Sequence, residues 1–112
     1  MTYAVRLGET AESDLRDIYE YVAYEIGEPE VAARLVRRFR KATEGLSTFA
    51  ERNHLVEQEP WHSRNVRYTT VGNYLMFYAV DTEERTVSVM RFLYGGRDVW
   101  AHLSRLLKRA TT

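Results

Sequence analysis

Polar and apolar residues alternate at the start of the chain, Tyr3, Val5 and Leu7 against Thr2, Ala4 and Arg6, which predicts a short strand. The period then changes. Ala11, Leu15, Ile18, Val22 and Ile26 recur at 4-3-4-4, one face of a helix, with Thr10 as the expected cap and Glu12, Asp14 and Asp17 near the positive end of its dipole. Gly27 is a stop, and Pro29 suits the first turn of a second helix. That helix carries Ala32, Leu35, Phe39, Ala42, Leu46 and Phe49 at 3-4-3-4-3. Two such helices with short punctuation form an antiparallel hairpin.

From Glu51 to Ser63 the pattern dissolves into a polar segment containing Pro60, read as a loop. Val66 and Tyr68 open a second strand, Gly72-Asn73 supplies a turn, and Tyr74 to Val80 is an almost unbroken apolar run. Such a run suits a central strand buried on both faces. After a turn over Asp81 to Glu84, Val87 and Val89, with Arg91 on the same parity, lead through Phe92-Leu93-Tyr94 as a third meander strand. Gly95-Gly96 ends it, Asp98 is the expected cap, and Trp100, Leu103 and Leu107 mark one face of a last helix. The predicted architecture is α+β in the order β-α-α-β-β-β-α. A helical hairpin and a C-terminal helix pack on a mainly antiparallel four-stranded sheet, as one domain spanning residues 1–112.

Composition narrows the chemistry. With no cysteine among its 112 residues, the chain has no disulfide, thiolate nucleophile or cysteine-bound zinc. The first seven residues have neither the apolar run of a signal peptide nor the length of a membrane span, so the expected location is the cytoplasm, away from any membrane. The formal net charge of zero hides a dipole: residues 1–60 hold 8 Lys/Arg against 12 Asp/Glu, and residues 61–112 hold 8 against 4. A neutral chain of that kind can present one basic face or simply two solvated ones. Arg34, Arg37, Arg38, Arg40 and Lys41 fall opposite the Leu35/Phe39 seam, as a solvated face or as a surface for an acidic peptide.

The ordered set of local signatures resembles the RelE/ParE toxin superfamily. Tyr3-Ala4-Val5 with Ala11, Asp14-Leu15, Ile18 and Tyr21-Val22 resembles its first strand and helix. Arg67 followed by Val71-Gly72-Asn73-Tyr74 and the apolar strand to Tyr78 resembles its middle, and Val87 to Asp98 (VSVMRFLYGGRD) its closing strand and late arginine. The resemblance covers nearly the whole chain. It implies a toxin of a type II toxin–antitoxin module, wrapped and blocked by a cognate antitoxin in a hetero-oligomer. It implies one of two targets: mRNA, cut on the ribosome, or DNA gyrase, poisoned without any cleavage by the toxin. An inactive relic is the blandest alternative.

Cleavage of RNA through its own 2′-hydroxyl needs no cofactor or metal. It needs a proton acceptor, a donor to the leaving oxygen, and cations for the phosphorane-like transition state. Arg67 matches the family's middle arginine and is expected to project from the sheet face away from the helices, while Arg97 matches the late one, beside two glycines that let backbone approach a phosphate. His62, His102 and Tyr94 are the candidate proton carriers, or else two solvated histidines and a rim aromatic between sheet and helix. Trp61 and Arg64 beside His62 form an aromatic and basic cluster suited to stacking on bases, and Arg91 is either a second contact for RNA or antitoxin or a paired structural arginine. The lysines of strongly basic members have no counterpart, since Lys41 and Lys108 are the only two here. An exposed sheet edge with an apolar groove beside it is the expected antitoxin seat, by strand addition or helix docking.

Overall fold

A computed structural model describes residues 2–110; Met1, Thr111 and Thr112 at the ends of the expected domain span lie outside the described residues. The elements are β1 (Ala4–Leu7), α1 (Glu9–Glu20), α2 (Pro29–Phe49), β2 (His54–Leu55), β3 (Val66–Val71), β4 (Tyr74–Asp81), β5 (Thr86–Tyr94), α3 (Arg97–Ala101) and α4 (Leu103–Lys108). They form a five-stranded sheet in the order β1-β5-β4-β3-β2, with β1 parallel to β5 and every other pair antiparallel. The expected count of four strands is therefore corrected to five. The addition is β2, in the polar segment read as a loop, where His54 pairs with Tyr68 and Leu55 with Arg67. A two-residue strand leaves no alternation to detect.

The cap of α1 is Gly8, not Thr10. The Gly8 N–H donates to the Val89 carbonyl at 3.0 Å and its own carbonyl accepts the Glu12 N–H at 3.0 Å, so strand pairing sets the helix start. Thr10 lies inside the helix and donates to the Arg109 carbonyl at 3.3 Å. Beyond Glu20 the chain widens into a π turn over Tyr21–Glu25. Its extra residue per turn rotates the stripe: Val22 is buried, but Ile26, expected on the same face, is 52% exposed. Gly27 then takes φ +83°, and the Glu28 N–H reaches back to the Val22 carbonyl at 3.0 Å, closing the helix with a left-handed residue.

Pro29 opens α2 as expected, and Ala32, Phe39 and Leu46 are buried along its seam. Phe49 is not; it is half exposed under the Arg52 guanidinium, 4.6 Å from the ring centre, because the chain tightens into a 3₁₀ turn that buries Ala50 instead.

The strand β4 serves two cores. Met76, Tyr78 and Val80 face the hairpin with Leu15, Phe39 and Phe92, whereas Leu75 and Phe77 face Trp61, Met90, Leu103 and Leu107 on the opposite side. Each such side chain contributes roughly 1.5–3 kcal/mol on full burial. The β4–β5 register shifts between Phe77 and Tyr78, whose partners are Arg91 and Val89, so Met90 is an extra residue. This bulge takes Arg91 off the parity it shared with Val87 and Val89. Arg91 is buried, with Nε and Nη2 each 2.8 Å from an Asp14 oxygen of α1 and Nη1 donating to the Leu106 carbonyl of α4 at 3.0 Å. Asp14 also accepts the Phe92 N–H at 3.0 Å, beyond the end of β1. One carboxylate thus continues the edge that β1 leaves and ties three elements together.

The expected single C-terminal helix is two short ones, α3 and α4, joined at His102 (φ −118°, ψ 19°). Gly96, not Asp98, is the cap, and Val99 rather than Trp100 turns inward.

Candidate functional site

Arg67 lies on the hairpin side of the sheet, opposite Tyr78, which corrects the expectation that it projects away from the helices. Its Nη1 donates to the carbonyls of Glu51 (3.0 Å) and Asn53 (2.8 Å), and its Nε to Asn65 Oδ1 (3.0 Å). Beside it the Tyr78 hydroxyl donates to the Ala50 carbonyl at 2.6 Å and accepts from Asn53 Nδ2 at 3.0 Å. The physical reason is the chain reversal after α2: the Ala50, Glu51 and Asn53 carbonyls lie in and just beyond the 3₁₀ turn, past the helix's own ladder, and a fixed cation and a hydroxyl satisfy them. Burial raises the Tyr78 pKa, against the lowering effects of Asn53 and Arg67.

Trp61 is fully buried, its indole N–H donating to Ser104 Oγ at 3.1 Å, so it cannot stack on a base; this expectation is corrected. Its role is to anchor the irregular segment to α4. Arg64 is exposed, with its guanidinium 5.5 Å from the indole centre. Arg91, in its buried ion pair, is not available as a surface contact, and the structural alternative for it holds.

Arg97 and His102 stand at the two ends of the short helix α3, and Tyr94 ends the strand before it. Arg97 is exposed at the first residue of α3. His102 is exposed at the α3–α4 joint, where its N–H donates to the Asp98 carbonyl at 3.1 Å. Tyr94, 64% exposed at the end of β5, stands edge-on to Tyr74 at 5.4 Å. With Ile18, Tyr21, Ile26 and Phe92 it lines an apolar groove of about 570 Å³ between α1 and the sheet. Burial raises the Tyr74 pKa at the foot of that groove.

His62 lies across the sheet in a cleft of about 610 Å³ with His54, Gln58, Tyr68 and Trp100. Its Nδ1 is 3.1 Å from the Val56 carbonyl, which can only accept, so Nδ1 is the donor of this bond. His54 stacks on Tyr68 (5.6 Å, 30°), and Tyr68 meets Trp100 edge-on at 4.9 Å. At the cleft's outer turn the Ser63 amide and hydroxyl hold Glu59 at 2.9 and 2.7 Å and lower its pKa. Sequence reasoning passed over His54, Tyr68 and Trp100, because the strand that brings His54 to Tyr68 is two residues long. Among the described residues, no group of three His, Asp or Glu side chains is arranged to hold a metal ion.

Two helices on one face, two short helices on the other and a parallel first strand define a toxin fold seen in solved toxin–antitoxin structures. The RelBE2 toxin–antitoxin complex from Mycobacterium tuberculosis has a chain 21% identical, aligned over 85% of this chain and 100% of that one with a TM-score of 0.65. The chromosomal ParDE system of P. aeruginosa gives 19% identity over 85% and 98% with a TM-score of 0.70. A mutant of the E. coli toxin RelE in the free state gives 16% over 99% and 96% with a TM-score of 0.63. No curated protein matches the sequence. The profile of the ParE toxin of the type II toxin–antitoxin system parDE matches residues 5–99, and the chain belongs to that family. No helix among the described residues is long and apolar enough to cross a membrane.

Proposed function

We propose that this toxin arrests growth by binding DNA gyrase rather than by cutting mRNA, and that a cognate antitoxin neutralises it in a hetero-oligomer. The observation that carries the reading is the dispersal of Arg67, Tyr94 and His62, a cation and two proton carriers that a cleavage site has to bring together. Arg67 is bound to carbonyls in the turn that follows α2, Tyr94 is in the groove beside α1, and His62 is in the cleft beside β2. In-line attack by a 2′-hydroxyl needs a cation and a proton carrier within about 3 Å of one phosphate. Membership of the ParE family supports the same target.

The antitoxin seat is the groove lined by Tyr21, Ile26 and Tyr94, whose exposed apolar surface matches the apolar face of a docking helix. Ile26→Glu or Tyr94→Glu then abolishes rescue by co-expressed antitoxin while leaving growth arrest intact. One observation favours the second reading, ribosome-dependent cleavage: two imidazoles share the cleft with Tyr68 and Trp100, a platform on which a base stacks. Pulse labelling after induction without antitoxin decides between them. DNA synthesis stopping before protein synthesis is expected; the reverse order, abolished by His54→Ala with His62→Ala, would establish cleavage instead.

A further inference from the structure

The outer face of α2, one half of the helical hairpin, carries a cluster of cations. Arg34, Arg37, Arg38 and Lys41 are all exposed there, and none makes an ion pair or side-chain hydrogen bond to another described residue. Arg34, Arg38 and Lys41 follow the 4-3 spacing of a single stripe, spanning about 10 Å of a rigid 21-residue helix at roughly 1.5 Å per residue. Arg34 and Arg38 border a notch against the Gly72-Asn73 turn. Gly72 has φ +60°, and a Cβ there would lie 3.1 Å from Arg38 Nη1. The missing side chain leaves room for the Arg38 guanidinium beside the turn.

From this arrangement we infer that the Arg34–Lys41 face of α2 is a docking surface for the phosphate backbone of duplex DNA. The stripe covers the length of about three nucleotides of one strand at roughly 3.4 Å each. Guanidinium forks pair with phosphate oxygens two at a time. A peptide partner is the weaker match: peptides derive most of their affinity from apolar and aromatic anchors, and those residues gather in the Tyr21/Tyr94 groove instead. A polyanion needs only the charges. The acidic residues of α1, among them Glu12 and Asp17, lie on the neighbouring helix, and the balance of 16 cations against 16 anions leaves local clusters such as this one to carry any attraction to a polyanion. The inference goes beyond the gyrase assignment and is tested without gyrase.

The test is fluorescence anisotropy of a labelled 20-base-pair DNA duplex titrated with the free, full-length toxin between 50 and 200 mM salt. Four phosphate contacts give a slope of log K against log salt of about −3.6, and R34Q/R38Q brings it to about −1.8, with binding on the order of fifty-fold weaker at 0.1 M. Circular dichroism and antitoxin binding of that variant stay at wild type. Absence of DNA binding at 50 mM salt, or a slope unchanged in R34Q/R38Q, overturns the inference. Tighter binding to an RNA duplex of equal length, or to polyglutamate, reassigns the face to RNA or to an acidic protein and overturns it equally.

Discussion

The two faces of the sheet are built on different principles. On the hairpin side, Phe39 and Leu46 come from long helices whose apolar spacing announces what they bury. On the other, the core is sealed by Trp61 from an irregular segment and by Leu103 and Leu107 from a helix of six residues. Periodic elements declare their packing in advance. A single aromatic anchor inside a polar segment does not, because its burial depends on partners far along the chain. The polar segment is consequently no loose loop: Val56 N–H bonds the Val66 carbonyl at 2.9 Å and Val66 N–H the Trp61 carbonyl at 3.0 Å, on either side of the buried indole.

The largest effects come from opening either core. Phe39→Ala and Trp61→Ala each cost about 3–5 kcal/mol, yet they differ in reach. Amide exchange after Trp61→Ala rises in α3, α4 and the 56–65 segment while β1 and β4 keep their protection; a uniform rise would erase the distinction between the faces.

Asp14→Asn comes next. It leaves the Arg91 guanidinium buried without its counter-charge, at a cost of about 3 kcal/mol or more, and frees the Leu106 end of α4. Replacing the pair together, Asp14→Leu with Arg91→Met, removes both charges but leaves the Phe92 N–H and the Leu106 carbonyl without these partners, so it costs about 1–3 kcal/mol in denaturant unfolding, less than Asp14→Asn.

A smaller effect separates structure from chemistry at Arg67. Arg67→Ala removes three charge-assisted hydrogen bonds and costs about 1.5–3 kcal/mol. Growth arrest falls only in proportion to the folded fraction; complete loss of arrest with an unchanged melting temperature would give Arg67 a direct role at the target. Tyr78→Phe, at about 1 kcal/mol, is the mildest probe of the same corner. Its hydroxyl has a pKa raised by burial above the ordinary 10.0. The folded state therefore holds the proton more tightly than the unfolded one, and this stability is complete below pH 10 and declines as pH rises past it. The alkaline decline in thermal unfolding is shallower in Tyr78→Phe.

Much of the fold was legible because its signals were local. The first strand, the seam of α2, the Gly27 and Gly72 turns and the doubly buried β4 all rest on residues whose spacing or conformation needs no distant partner. What escaped was set by tertiary contact: the π turn that rotates Ile26 outward, the bulge at Met90 that redirects Arg91, and the short β2 that brings His54 onto Tyr68. The candidate site was less legible than the fold for the same reason. Arg67, Arg91 and Trp61 are residue types that bind nucleic acid when exposed, and each is held here by at least one partner 14 to 77 positions away. Charge and aromaticity in a sequence report capacity; the fold decides whether it is used inside or outside.

The central claim, that this toxin acts by holding its target rather than by cutting RNA, is tested most directly with purified gyrase and supercoiled plasmid. Adding the free toxin and then denaturing the protein should release linear plasmid from trapped cleavage complexes, and prior addition of antitoxin should prevent it. Unbroken plasmid at toxin excess, together with shortened mRNA when the same preparation is added to translating ribosomes, would contradict the account.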